Sequence, residues 1–184
     1  ERGLYDRALI IVTADHGEEF YEHEGLTHGS TLYGEVLEVP FILGNLKPPM
    51  QPRSSGEPFD QVDFLPTVLE ALGLPDQPGG DGDSQWSAIA NGEPLDVHDI
   101  FSHLDLDKKR FFAIQSGDLK LIMAGSGSGG QLFDLGRDPG ELAPLPIASP
   151  AGAALRQRLR KVNRFLGDRS FQPAESKPDE ETLR

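Results

Sequence analysis

The chain has 184 residues, 37% of them hydrophobic, which is enough to bury a core. Its net charge of -13 argues against binding to nucleic acid, whose affinity rests largely on Lys and Arg neutralising phosphates. There is no cysteine, hence no disulfide and no thiol nucleophile, and no run of about 18 apolar residues marks a membrane segment.

The opening, residues 1–6, reads as the end of a helix leading into an interior strand. Residues 8–12, Ala-Leu-Ile-Ile-Val, are apolar, β-branched and do not alternate, so they predict a buried, parallel strand. Asp15 and His16 follow just past its carboxyl end, the edge of an open α/β sheet where ligands bind. A carboxylate beside a neutral imidazole is a donor pair for a divalent cation. The segment then runs to His28 and gathers five carboxylates (Asp15, Glu18, Glu19, Glu22 and Glu24) and three histidines (His16, His23 and His28). Such a concentration repels itself unless a cation or hydrogen-bond donors offset it, and it also has the composition of a plain solvated loop.

Residues 30–38 predict a short helix capped by Ser30 or Thr31, with Leu32, Val36 and Leu37 facing inward. Tyr33 and Glu35 read as packing or surface residues more readily than as supports for the preceding loop. A strand over residues 39–43 tolerates Pro40 near its start, and prolines 48, 49, 52 and 58 mark the surface connection after it. Residues 63–72 give the clearest helix, with Asp63 as N-cap, Pro66 in the first turn, Leu65, Val68, Leu69 and Leu72 as one buried face, and Gly73 as terminator. A Gly/Pro/Asp loop over residues 75–84 precedes a short helix around Trp86 and Ile89 that ends at Asn91-Gly92.

From Asp99 the pattern changes to strands at residues 100–104, 110–116, 119–124 and 131–135, an antiparallel meander with turns at residues 117–118 and 125–130. Residues 151–166 form a basic helix whose Leu155, Leu159, Val162 and Phe165 stripe docks it, its charges balancing an acidic body. From about Gln172 the composition is that of a disordered tail.

Asp15-His16-Gly17-Glu18, then residues 27–33 (Thr-His-Gly-Ser-Thr-Leu-Tyr) and 39–43 (Val-Pro-Phe-Ile-Leu), closely resemble the C-terminal half of the sulfatase family, within the alkaline phosphatase-like superfamily of metal-dependent hydrolases. Residues 63–67, 81–84, and 131–135 with 138–141 match further motifs in the expected order, so the resemblance covers roughly residues 1–145.

The resemblance implies an α/β fold: the C-terminal part of an alkaline phosphatase-like α/β sandwich domain over residues 1–95. A small antiparallel β subdomain over residues 96–145, a terminal helix over 146–171 and a disordered tail over 172–184 follow it. It implies Asp15 and His16 as metal ligands, and His28 as the basic residue that contacts the transferred group and assists the leaving oxygen. His98 and His103 lie near the strand from which relatives reach substrate, and His103 is carried forward as a substrate-binding candidate.

The implied cofactors are one divalent metal ion, calcium first with manganese, magnesium or zinc as alternatives, and a formylglycine nucleophile upstream of these residues. The implied substrate is a small-molecule or glycan sulfate ester, and the implied location periplasmic or secreted. On this reading the chain is the C-terminal portion of a sulfatase and is inactive alone. The alternatives are a phosphatase, phosphonate monoester hydrolase or phosphoglycerol-type transferase of the same superfamily, and a non-catalytic relative.

Overall fold

The computed structural model describes residue 3 and residues 8–44, 51–106, 109–125 and 129–168. The expected helix end at residues 1–6, part of the connection after residue 44 and the tail from residue 172 lie largely or wholly outside them. The order of elements is β1 (Ile10–Val12), β2 (Glu19–Phe20), β3 (Leu26–Thr27), α1 (Gly34–Leu37), β4 (Ile42–Gly44), α2 (Phe64–Ala71), α3 (Trp86–Asn91), β5 (Ile100–Leu106), β6 (Lys109–Ser116), β7 (Leu119–Ala124), β8 (Gln131–Asp134) and α4 (Pro150–Asp168). No helix among the described residues is long and apolar enough to cross a membrane.

The meander forms as its alternation predicts, in the order β5-β6-β7-β8 with every pair antiparallel. Successive side chains point to opposite faces of a strand, so each face of this sheet has its own core. Ile114, Leu121 and Leu132 stand opposite one another across three strands and, with Met123, pack against Leu155 and Leu159 of α4. Ala113, Ile122 and Phe133 occupy the other face and close on Leu32, with Tyr33 and Leu37 at their margin. The sheet is therefore a middle layer, helical on one side and covered on the other by the residues around α1. An arginine fastens α4: Arg158 Nη1 lies 2.9 and 3.0 Å from the carboxylate oxygens of Asp99 and 2.9 Å from Ser116 Oγ.

Two expectations for the first half are corrected. The strand at residues 8–12 is neither parallel nor buried: β1 pairs antiparallel with β4, Val12 opposite Ile42, and Ile10 and Val12 are 38% and 52% exposed. A non-alternating run says that both faces are apolar, and among the described residues no second layer covers them. In α2 the buried residues are polar. Asp63 stands at the N-cap position of α2 as expected but makes no side-chain capping bond; Asp60 caps the 3-10 turn before it by accepting from Val62 N. Asp63 instead turns inward and accepts hydrogen bonds from Asp83 N (2.8 Å) and Gln85 Nε2 (3.1 Å), while Thr67 Oγ1 accepts from Gln85 N (3.0 Å). Leu65 and Leu72 are left about half exposed. Gly82 belongs to the same joint, because a Cβ there would meet Val62 O at 2.1 Å. Similarly α1 is shorter than expected and begins without a side-chain cap, although Leu32 and Val36 are buried as their spacing requires.

A buried ion pair joins the two regions. Lys120 of β7 and Glu141, 3% exposed each, place Nζ 2.8 Å from Oε1 and 3.0 Å from Oε2, and Glu141 Oε2 also accepts from Gly34 N. Removing one partner strands the other charge in a low-dielectric interior. Lys120→Met is expected to cost about 3–5 kcal/mol. The double change Lys120→Met/Glu141→Gln should recover part of that loss. Chemical denaturation of the intact protein measures both.

Candidate active site

β1 delivers Thr13 to Gly17 into a broad open cleft, whose walls also carry His28, Ser102 and His103. Gly17 fixes where that delivery ends. Its N–H donates to Val36 O (2.8 Å), and a Cβ on it would lie 2.1 Å from the Glu35 carbonyl oxygen, so only glycine lets the loop lie flush against α1. Gln61 secures the other side, its Nε2 donating to Asp15 O at 3.2 Å.

Asp15 and His16 present their side chains outward, 90% and 41% exposed. Asp15 Oδ1 accepts from His16 N (3.1 Å), and His16 Nδ1 donates to Gly17 O (2.8 Å). That bond sets the tautomer: with Nδ1 protonated, Nε2 keeps its lone pair, the arrangement metal-binding histidines show when their other nitrogen is held by a carbonyl. His16 Nε2 is 3.8 Å from Asp15 Oδ2. The pair thus fits a divalent cation as two donors, one hard oxygen and one nitrogen. The described residues contain no group of three or more His, Cys, Asp or Glu placed to hold a metal, so the pair offers two donors and no third beside them.

His28 reaches the pair from the β2–β3 hairpin. Its ring lies 3.9 Å from that of His16, tilted by 32°, and its Nδ1 is 3.2 Å from Glu18 Oε1. Glu18 orients the ring and leaves Nε2 as the nitrogen it does not engage. The backbone before His28 is strained: Thr27, a β-branched residue, has φ +69°, a left-handed conformation costing on the order of 1–3 kcal/mol unless its surroundings impose it.

The surroundings are the remaining acidic residues, and hydrogen-bond donors rather than a cation offset most of them. Glu19 is fully buried and accepts from Gly25 N (2.8 Å) and Thr31 Oγ1 (3.1 Å), while Glu22 accepts from Phe20 N. His23, half of whose story the sequence hides, stacks on Tyr33 at 3.6 Å with Nδ1 2.6 Å from Glu35 Oε1 and Nε2 3.0 Å from Glu141 O. Burial draws the His23 pKa down, but the bonds to Glu35 and Glu141 and the charges of both outweigh it, and the net direction is up. Burial pushes the Tyr33 phenol up too, so it stays a donor to Gln131 Oε1 (2.8 Å). Sequence reasoning gave Tyr33 and Glu35 plain packing or surface roles. The available signal was His23 itself, a titratable ring set inside the acidic run.

The other candidates separate. His103 lines the cleft and stacks flat on Phe112, ring centroids 4.6 Å apart. His98 lies instead against the carboxylates of Asp60 (3.5 Å) and Asp63 (3.9 Å), at the start of α2.

Residues 1–74 match the Sulfatase family model. A relative 31% identical over 177 residues is the multifunctional alkaline phosphatase superfamily protein PehA of Trinickia caryophylli, with 84% of this chain and 33% of the relative covered. Mouse (Mus musculus) arylsulfatase K is 26% identical over 173 residues, covering 86% and 31%. Among solved structures, the phosphonate monoester hydrolase SpPMH from Silicibacter pomeroyi superposes with TM-score 0.63 at 25% identity, covering 90% of this chain and 35% of that one. BT4656, solved in complex with its substrate D-glucosamine-2-N,6-O-disulfate, gives TM-score 0.67 at 23% identity, covering 90% and 36%. The fold and the ordered motifs define a member of a hydrolase superfamily: the chain belongs to the sulfatase/alkaline phosphatase-like superfamily. It spans about a third of the length of the curated relatives it matches.

Gly17→Ala is expected to lower the stability of the intact protein by about 1–3 kcal/mol, because the new methyl group meets backbone that cannot step aside. Gly56→Ala, where nothing lies within 4 Å of the added carbon, serves as the neutral control in the same denaturation series.

Proposed function

We propose that this chain carries part of the active site of a metal-dependent sulfatase that hydrolyses sulfate esters, with the attacking group, a formylglycine, supplied from outside these 184 residues. One observation carries the reading: within the span that matches the Sulfatase family model, Asp15, His16 and His28 meet at one edge of the cleft, with His16 and His28 in ring contact.

Asp15 and His16 would hold one divalent cation through a carboxylate oxygen and Nε2; calcium, the first expectation, takes oxygen donors, and the imidazole nitrogen fits manganese or zinc better. When bound, that cation supplies positive field for an anionic ester in a chain of net charge -13. His28, oriented by Glu18 and acting in its imidazolium form, hydrogen-bonds an oxygen of the transferred group through Nε2 or gives that proton to the leaving oxygen, ending as the neutral ring with Nδ1–H on Glu18. His103, among the residues lining the cleft, is carried as a contact for the alcohol portion of the substrate. The substrate class that fits is a small-molecule or glycan sulfate ester, supported by the arylsulfatase relatives and by the sulfated glucosamine that BT4656 binds.

A second reading is favoured by two particular matches, PehA and SpPMH: a phosphate or phosphonate monoesterase using the same three residues. Aryl sulfate, phosphate and phosphonate esters sharing one leaving group, assayed on the intact protein, decide between the two.

Asp15→Ala is expected to reduce kcat/KM by at least about a hundredfold and to weaken retention of the divalent ion, measured by elemental analysis after dialysis. His28→Ala should lower turnover by about 10²–10⁴ for esters of poor leaving groups and by much less for nitrophenyl esters, whose leaving oxygen needs no proton. Unchanged turnover in both variants would overturn the roles given to Asp15 and His28; absence of turnover on all three ester classes by the intact wild-type protein would leave a non-catalytic relative as the remaining reading.

A further inference from the structure

His23 makes two bonds that a neutral imidazole cannot make together. Nδ1 faces a carboxylate oxygen of Glu35 at 2.6 Å and Nε2 faces the main-chain oxygen of Glu141 at 3.0 Å. Neither oxygen has a hydrogen to give while Glu35 is ionised, and neutral imidazole carries one N–H. Both contacts are hydrogen bonds only when the ring is an imidazolium.

The surroundings suit that charge. Glu35 on α1 and Glu141 after β8 face the ring directly, and Tyr33 offers its π face at 3.6 Å. Buried Glu19 of β2 also belongs to the acidic surroundings, adding to the charge felt at Tyr33. Lys120 on β7, the one cation of this cluster among the described residues, is occupied by the Glu141 side chain. The ring is also well placed to matter. It rises from the turn between β2 and β3 and ties that hairpin to two points distant in sequence, while His28 follows immediately after β3.

We propose that His23 is a positioning residue: its imidazolium pins the β2–β3 hairpin to α1 and to the 138–141 turn, and thereby holds His28 at the cleft. The clamp is a property of the fold; its consequence for turnover rests on the role given to His28 above.

The direction of the pH dependence follows. The His23 pKa is raised above its ordinary 6.5, so the stabilisation is complete below about 6.5 and is lost as the pH climbs through the folded value. Alkaline conditions release the hairpin, and conditions below the His23 pKa fasten it.

Amide hydrogen exchange of the intact protein, read by mass spectrometry on peptides covering residues 19–29 and corrected for intrinsic rates, tests this. In the wild type the corrected exchange should accelerate about tenfold on the alkaline side of the folded pKa. His23→Gln should exchange fast at every pH. Glu35→Gln, which keeps the ring and its stack on Tyr33, should move the transition toward pH 6.5, and this variant answers the objection that His23→Gln merely misfolds. An exchange profile that is flat in the wild type, or unmoved by Glu35→Gln, overturns the clamp. If Asp15→Ala keeps its turnover while His23→Gln still loosens the hairpin, the clamp stands and the metal reading is what fails.

Discussion

Glu141 holds the molecule together at the level of single groups. Its carboxylate accepts from Gly34 N at the start of α1 and pairs with Lys120 of β7, and its carbonyl accepts from His23. Three segments far apart in sequence thus meet at one residue, itself at φ +53° in a turn fixed by Asp138, whose carboxylate accepts from Leu142 N and Ala143 N. The buried carboxylate is held by the charge of Lys120 beside both oxygens and by hydrogen bonds to Oε2, while Oε1 has the lysine's charge at 2.8 Å and no hydrogen bond. The placement of the cleft-edge histidines relative to the small sheet depends on it.

The apolar half of this arrangement was legible. Strands β5 to β8, the α4 stripe of Leu155 and Leu159 and the inward pair Leu32 and Val36 follow from periodicity, because burial of apolar area is non-directional and needs only the right spacing. The polar half was not. Nothing in a window of sequence tells that Asp63 turns from a helix cap into an anchor for the 81–85 loop, because its partners lie about twenty residues away. Nor does sequence reveal that the acidic run disperses, with Glu19 satisfied by main-chain and hydroxyl donors, Glu18 serving His28 and Glu35 serving His23. Asp15 and His16 keep outward-facing donor atoms. Their adjacency was the legible part; what brings His28 to them was hidden in the fold.

The correction at β1 has the same root. An apolar run without alternation reports two apolar faces, and pairing direction is a tertiary property that such a run does not encode. Likewise the Leu65 and Leu72 side of α2 has the spacing of a core face, while the helix is held from its other side by Asp63 and Thr67.

The bond from Gly17 N to Val36 O closes residues 17–36 into a loop whose ends meet. The entropy of closing such a loop grows only logarithmically, about 0.6 kcal/mol for each doubling of its length. Loop entropy therefore sets little limit on length at the tip over residues 21–24, where the limit is the His23 clamp on Glu35 and Glu141 instead, while any change of length between Asp15 and Gly17 would break the flush seat against α1. The molecule thus fixes length in two different ways, by backbone contact at Gly17 and by a single ring at His23.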